Sequence, residues 1–447
     1  MDLFGTAGIR GPVTDVTPAL ALAVGRAAGA DGTDFVVGRD GRTSGPALAD
    51  ALTAGLESAG ATVERVGTVP TPTLAYASRG RHGVMVTASH NPPTDNGIKL
   101  FADGSEYDSD AETRLEDRVA DEAGQVAWES WGQTARADPL PEYRDSVVGY
   151  AASHGSDPAD LTVAVDCGNG MAGLATPQVL TDLGADVLAL NANVDGHFTA
   201  RESKPTPETL TDLRNFVADG DIDLGIGHDG DADRIVVVDS DGDVVHEDTV
   251  LAILAEHYTR ASDAADPVVV TTPNASGRID ERVRAGGGRT ERVHLGGLHE
   301  GIARVRADGG EGTAVVFAAE PWKHIHPGLG GWIDAVASAA VLTRLAAVDG
   351  LASLRAPVTE RPYRKESVRC PDERKGDVMD TLASTLPAAF PDASVATEYG
   401  VRLTFPDESW TLVRPSGTEP YVRVYAESDD VETLTDTVTD IVADAVD

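Results

Sequence analysis

Short apolar runs alternate with amphipathic stretches along most of the chain. Leu20, Val24 and Ala28 recur every four residues behind Thr17-Pro18. An N-cap followed by proline in the first turn, with one apolar face, predicts a helix. Asp-Phe-Val-Val at 34–37 reads as a strand, 44–59 as a helix with Leu48, Leu52 and Leu56 in i, i+4 register, and 61–66 as the next strand. A short helix after Thr73 precedes the strand Gly83-Val84-Met85-Val86-Thr87. The cycle resumes at 161–165, after the polar stretch 153–160, and again near 246–250. Further strands are predicted at 186–190, 267–271, 290–294 and 313–317. From Arg361 the pattern changes. Strands at 363–369, 399–405, 409–414 and 421–426 dominate, with helices near 373–384 and 430–443. Continuous apolar strands between amphipathic helices require a sheet covered on both faces, mostly parallel. The expected organisation is three α/β units, 1–155, 156–246 and 247–358, and a smaller α+β unit, 359–447. No low-complexity linker separates them, which suits packing around a shared cleft.

Charge narrows the choice of partner. Of 447 residues, 36 are Lys or Arg and 73 are Asp or Glu, a formal net charge of −37. Nucleic acid is an unsuitable ligand, because a phosphate backbone needs a basic stripe. Apolar residues make up 41%, enough for real cores, but their runs are short and broken by charges, so no membrane span is expected. The start, Met1-Asp2-Leu3-Phe4-Gly5, has neither the basic nor the apolar region of a secretory signal. Two cysteines, Cys167 and Cys370, make no disulfide framework, which fits a reducing cytoplasm. Only five of the basic residues are lysine. A surface rich in acids and poor in lysine suits concentrated salt, where the Debye length falls to roughly 3 Å. Long-range steering is lost there, so an anionic ligand must be held by direct contacts.

Four loops carry chemistry. Thr87-Ala88-Ser89-His90-Asn91-Pro92-Pro93 follows an apolar strand, and so sits where open α/β sheets place ligands. Ser89 can carry a phosphoryl group. Asn96-Gly97-Ile98-Lys99 next to it is expected to supply a turn and a cation. Alone, the segment reads equally well as a polar turn. Asp229, Asp231 and Asp233 stand at i, i+2 and i+4, where short residues between them let three carboxylates converge on a hard cation such as Mg²⁺. An EF-hand is excluded: Arg234 occupies the glycine position and Ser240 the twelfth. Asp239-Ser240-Asp241-Gly242-Asp243 reads as a hairpin turn. Arg414-Pro415-Ser416-Gly417-Thr418-Glu419-Pro420 offers Arg, two hydroxyls and a backbone nest, an anion cradle or simply a turn. Ala319-Glu320-Pro321-Trp322-Lys323-His324 offers a carboxylate, a ring and two cations, and Trp322 suits a core as well as a ligand platform. Gly168–Gly173 matches a dinucleotide fingerprint, but the next strand ends at Asn191 rather than an acid, so these glycines are assigned to a tight strand-to-helix turn.

Taken in order, these loops resemble the α-D-phosphohexomutase superfamily, which includes phosphoglucomutase, phosphomannomutase and phosphoglucosamine mutase. The likeness also includes Phe4-Gly5-Thr6-Ala7-Gly8-Ile9-Arg10-Gly11 and Gly38-Arg39-Asp40-Gly41-Arg42, so it spans the chain. It implies four domains around a central cleft, the first three sharing one α/β fold. It further implies that Ser89 is a phosphoserine. Asp229, Asp231 and Asp233 would hold Mg²⁺ against it. Arg10 and Lys99 would flank the reacting phosphate, with Lys99 and His90 as catalytic groups, Lys99 a candidate for proton transfer. Arg234 would line the cleft, and Arg414, Ser416, Gly417 and Thr418 would clamp the distal phosphate. Glu320, Lys323 and His324 fall in the sugar-recognition loop. There the family usually reads Gly-Glu-x-Ser-Gly-His, and Trp322-Lys323 replaces Ser-Gly.

The implied activity interconverts hexose 1-phosphate and hexose 6-phosphate, of glucose or mannose, through a hexose 1,6-bisphosphate. Phosphoglucosamine mutase is the alternative within the class. A Mg²⁺-dependent sugar phosphatase and a non-catalytic sugar-phosphate binder lie outside it. The expected partner is a small sugar phosphate, with no nucleic acid or membrane, and the expected oligomeric state is monomer or dimer.

Overall fold

The computed structural model describes residues 3–5, 8–416 and 419–446. Thr6, Ala7, Gly417 and Thr418, all in motifs named above, lie outside the described residues. By internal contact the chain forms two compact units. One comprises Met1–Val250 with Val316–Arg355, the other Leu251–Val315 with Ala356–Asp447.

The first unit carries two mixed α/β sheets. In one, the parallel strands Thr62–Thr68, Asp34–Arg39 and His82–Val86 form the centre. Asp95–Ala102 and then Gly8–Pro12 add antiparallel on the side of His82–Val86. Leu48, Leu52 and Leu56 of helix Gly45–Ser58 pack with Val24, Phe35, Val37, Val63, Val84 and Val86 in its core. In the other sheet, Asp186–Leu190, Thr162–Asp166 and Leu224–His228 are parallel, and Ile235–Asp239 returns antiparallel. A third connection, from Thr313–Glu320 to Lys323–Ile325, is again antiparallel. The segments 87–94, 229–234 and 321–322 therefore occupy one topological place: a strand ends, a loop turns, and the next strand pairs antiparallel beside it.

The second unit holds the parallel pair Asp266–Thr271 and Arg289–Arg292. It also holds an antiparallel C-terminal sheet in the order Tyr363–Arg369, Tyr421–Glu427, Trp410–Pro415, Val401–Thr404, Ser394–Ala396. Leu382 and Leu386 of one helix and Val438 and Val442 of another close its core with Leu403, Val413 and Val424.

The strands predicted at 34–37, 61–66, 83–87, 161–165, 186–190, 267–271, 290–294, 313–317 and from 363 on are present, with ends shifted by up to three residues, whereas 246–250, where the cycle is expected to resume, begins the helix Glu247–Ala261. The Asp239–Asp243 turn is present too, Asp239 N donating to Asp243 O at 2.9 Å. Another expectation is corrected. Asn96-Gly97-Ile98-Lys99 is no turn but lies inside the strand Asp95–Ala102. A Cβ on Gly97 would come within 2.5 Å of the Ile9 carbonyl and 2.6 Å of the Thr87 carbonyl. The glycine permits close backbone approach in a packed sheet; it does not mark a bend.

Candidate active site

The site of the first unit is built on those loop positions. Arg10 pairs in register with Gly97, and Lys99 follows two residues later on the same strand face. Lys99 Nζ lies 2.6 Å from Asp233 Oδ2 and 3.7 Å from both Asp231 Oδ2 and Glu106 Oε1. Burial works against its charge, but Asp233, Asp231 and Glu106 outweigh that and raise its pKa above the usual lysine value. Lys99 is thus ion-paired with the acidic loop. Arg10 keeps Nε and Nη2 buried without a hydrogen-bond partner.

Ser89 Oγ donates to Asp229 Oδ2 at 2.6 Å and lies 3.4 Å from Asp233 Oδ1. The residue is fully buried and its φ is 51°, in the left-handed region. That conformation costs a serine about 1–2 kcal/mol. It is held by Thr87 Oγ1, which accepts from Ser89 N at 2.9 Å, and by two donors to the Ser89 carbonyl, Arg42 and Ser203. His90 Nδ1 stands 3.3 Å from Ser89 Oγ. Burial, then the Arg234 and Arg10 guanidiniums, push the His90 pKa down to about 3, so the ring is neutral near pH 7.

Asp229, Asp231 and Asp233 are all buried, and each offers a carboxylate oxygen within 4.8 Å of the others. Asp231 Oδ2 accepts from Thr71 Oγ1 at 2.6 Å, while Oδ1 is buried without a partner. Burial and the two neighbouring carboxylates push Asp229 well above the usual carboxylate range. Burial also opposes ionisation of Asp233, but Lys99, Lys323 and Arg234 prevail and hold it well below that range. Three convergent carboxylates, with Asp231 Oδ1 left unpartnered, fit a hard divalent cation, whose charge would relieve this repulsion. Gly170 lies under the loop: a Cβ there would come within 2.7 Å of the Gly230 carbonyl. The glycine-rich stretch 168–173 therefore serves close backbone packing beneath the acidic loop as well as the turn.

Glu320 and Lys323 face each other across the hairpin and form an ion pair at 3.2 Å. Trp322 takes φ 68° and, partly buried, packs against the core of Ala164, Leu210 and Val236. His324 is buried, with Nδ1 2.9 Å from Ser338 Oγ.

In the second unit, Arg414 Nη2 donates to the Tyr425 hydroxyl at 3.0 Å, and its Nε is buried without a partner. Ser416 N donates to the Tyr421 carbonyl at 2.9 Å. Lys375 Nζ donates to the carbonyls of Ser416 and Glu419, at 2.6 and 2.7 Å. Arg423 stands directly across from Arg414 in the sheet and pairs with Glu419. Sequence reasoning gave Lys375, Arg423, Ser203 and Thr71 no role, because no motif contains them, and Arg42 only a place in a motif.

Comparison with known proteins gives the family. Residues 1–125, 141–242 and 367–444 match, respectively, alpha/beta/alpha domain I, alpha/beta/alpha domain II and the C-terminal domain of phosphoglucomutase/phosphomannomutase. The chain belongs to this family. A phosphopentomutase of Thermococcus kodakarensis is 40% identical over 96% of this chain and 94% of its own. A probable phosphoglucosamine mutase of Methanopyrus kandleri is 39% identical over the same shares, 96% and 94%. A phosphoglucomutase/phosphomannomutase family protein of Burkholderia thailandensis has a similar structure, with a TM-score of 0.85 at 28% identity, covering 98% of this chain and 96% of that one. Membership of the phosphohexomutase superfamily makes the chain an isomerase that moves a phosphoryl group within its substrate. No helix among the described residues is long and apolar enough to cross a membrane.

Proposed function

We propose that the chain interconverts hexose 1-phosphate and hexose 6-phosphate, of glucose or mannose, with Ser89 as the phosphoryl carrier. The observation that carries the reading is the 2.6 Å contact between Ser89 Oγ and Asp229 Oδ2, groups 140 residues apart. Phosphorylated Ser89 gives its phosphoryl group to the free hydroxyl of the sugar phosphate. The Oγ–P bond breaks, a new P–O bond forms on the sugar, and the hydroxyl proton passes to Ser89 Oγ, with Lys99 and His90 as the candidate carriers. The resulting hexose 1,6-bisphosphate reorients, and its other phosphate returns to Ser89. Lys99, with Arg10 and Arg234, would flank the reacting phosphate, and Lys99 is a candidate for the proton transfer. Asp229, Asp231 and Asp233 would hold Mg²⁺, which neutralises charge on the transferring group. Arg414, Ser416, Gly417 and Thr418 would hold the non-reacting phosphate, and Glu320, Lys323 and His324 the sugar. The division into four domains at 155/156, 246/247 and 358/359 and a cytoplasmic setting belong to the same proposal.

A second reading places an amino sugar or a pentose in the site. The names of the relatives favour it, and so does the hairpin: Lys323 engages the Glu320 carboxylate that would otherwise bind sugar hydroxyls. Supplying glucose, mannose, glucosamine and ribose 1-phosphates with Mg²⁺ in high salt decides among them. The proposal expects a hexose 6-phosphate as the main product and no turnover by Ser89→Ala. Free phosphate as the product would make the enzyme a phosphatase, and an active Ser89→Ala would remove the carrier.

A further inference from the structure

The Ser89 carbonyl accepts from both Arg42 Nη2, at 2.9 Å, and Ser203 Oγ, at 2.8 Å. Arg42 is fully buried, and its guanidinium is spent on the loop that carries Ser89. Nη2 also donates to Asn91 O at 2.7 Å, and Nη1 donates to Pro92 O at 2.5 Å and Asp95 O at 3.0 Å. Nε donates to Asp40 Oδ2 at 3.0 Å, and Asp40 in turn accepts from Thr87 Oγ1 at 2.8 Å, so the fork is itself fixed in place. The guanidinium lies 5.0 Å from the Phe198 ring centroid, against the segment that leads to Ser203. A Cβ on Gly230 would come within 2.7 Å of both the Ser89 carbonyl and Ser203 Oγ, so the glycine is what lets the acidic loop pack directly on the clamp.

From this geometry we infer that Arg42 and Ser203 are positioning residues for phosphoryl transfer. They clamp the Ser89 carbonyl, hold the residue left-handed, and so aim Oγ at Asp229. The inference rests on the reading of Ser89 as the phosphoryl carrier. Only a planar, five-donor side chain reaches four carbonyls and a carboxylate at once. A lysine keeps the charge and loses the fork. Displacing a reacting atom by about 1 Å costs on the order of 100-fold in rate.

The test compares Arg42→Lys, Ser203→Ala, Ser203→Thr and Ser89→Ala in the full-length enzyme. It reads kcat and KM for the sugar 1-phosphate, phosphate release by the phosphorylated enzyme without sugar, and the thermal midpoint. Arg42→Lys should lower kcat about 100-fold with KM within about threefold, and should release phosphate to water faster. Ser203→Ala should lower kcat about tenfold, the worth of one hydrogen bond, and Ser203→Thr should restore it. A purely structural role would lower the thermal midpoint and leave kcat per folded molecule and phosphate release unchanged, which overturns the inference. If Arg42→Lys does not fold, the Ser203 pair decides: an unchanged kcat in Ser203→Ala overturns the clamp. An active Ser89→Ala refutes the carrier itself, whereas an inactive Ser89→Ala beside a fully active Arg42→Lys and Ser203→Ala refutes only the clamp.

Discussion

Gly230 stands between two of the proposed metal ligands, and its missing Cβ is what lets the acidic loop close on the Ser89 carbonyl. Gly230→Ala should therefore push the two loops apart. Turnover should fall about 100-fold, since transfer tolerates little displacement. Steady-state kinetics on folded protein checks this, and wild-type turnover would contradict it. Asp231 Oδ1 has no hydrogen-bond partner, so Asp231→Asn should preserve the Thr71 contact and weaken Mg²⁺. Titration of Mg²⁺ by calorimetry should show at least a tenfold weaker site, about 1.4 kcal/mol; an unchanged affinity would place the metal elsewhere. Little of this detail was legible in the sequence. The residue types of Ser89, Asp229, Asp231 and Asp233 announced their chemistry. The left-handed φ of Ser89 did not, because it is imposed by donors at positions 42 and 203, far from it along the chain.

The elements were far more readable than the contacts. Strands with continuous apolar runs and helices with four-residue spacing follow from local patterning, and they stand where the pattern put them. The error at Gly97 has a specific cause. Glycine serves both turns and close strand approach, and only tertiary context separates the two. Trp322 shows the same limit, since the apolar cluster it packs against is assembled from other elements. The start of helix Ala335–Asp349 illustrates how an element is anchored. Asp334 accepts from Ala337 N and Tyr143 Oη through Oδ1, at 2.8 and 2.9 Å, and from Trp332 Nε1 through Oδ2 at 2.9 Å. Asp334→Ala removes a cap and leaves two buried donors unsatisfied, a loss of about 3 kcal/mol. Urea unfolding should show that drop, with Asp334→Asn recovering part of it; a change below about 1 kcal/mol would contradict the anchoring role.

Across the whole molecule, two charge effects act in different ranges. Burial pushes His324 down to about 3 and His326 well below its ordinary value. The unfolded chain takes up these protons near pH 6.5 and the folded chain does not. Stability is therefore complete above pH 6.5 and is lost as pH falls below it, by about 1 kcal/mol per histidine by pH 5.5. Urea midpoints at pH 7 and 5.5 should differ accordingly, and the difference should shrink in His324→Asn/His326→Asn. The net charge of −37 opposes compactness through self-repulsion, so molar KCl should raise the thermal midpoint; a flat or falling midpoint would refute adaptation to salt. The central claim is that Ser89 carries the phosphoryl group to the sugar. A single-turnover experiment tests it most directly: enzyme labelled at Ser89 with radioactive phosphate is mixed with a hexose 6-phosphate and quenched within milliseconds. The account predicts that the label leaves Ser89 and appears in hexose 1,6-bisphosphate at the rate of turnover. Label that stays on the protein, or emerges as free phosphate, would contradict it.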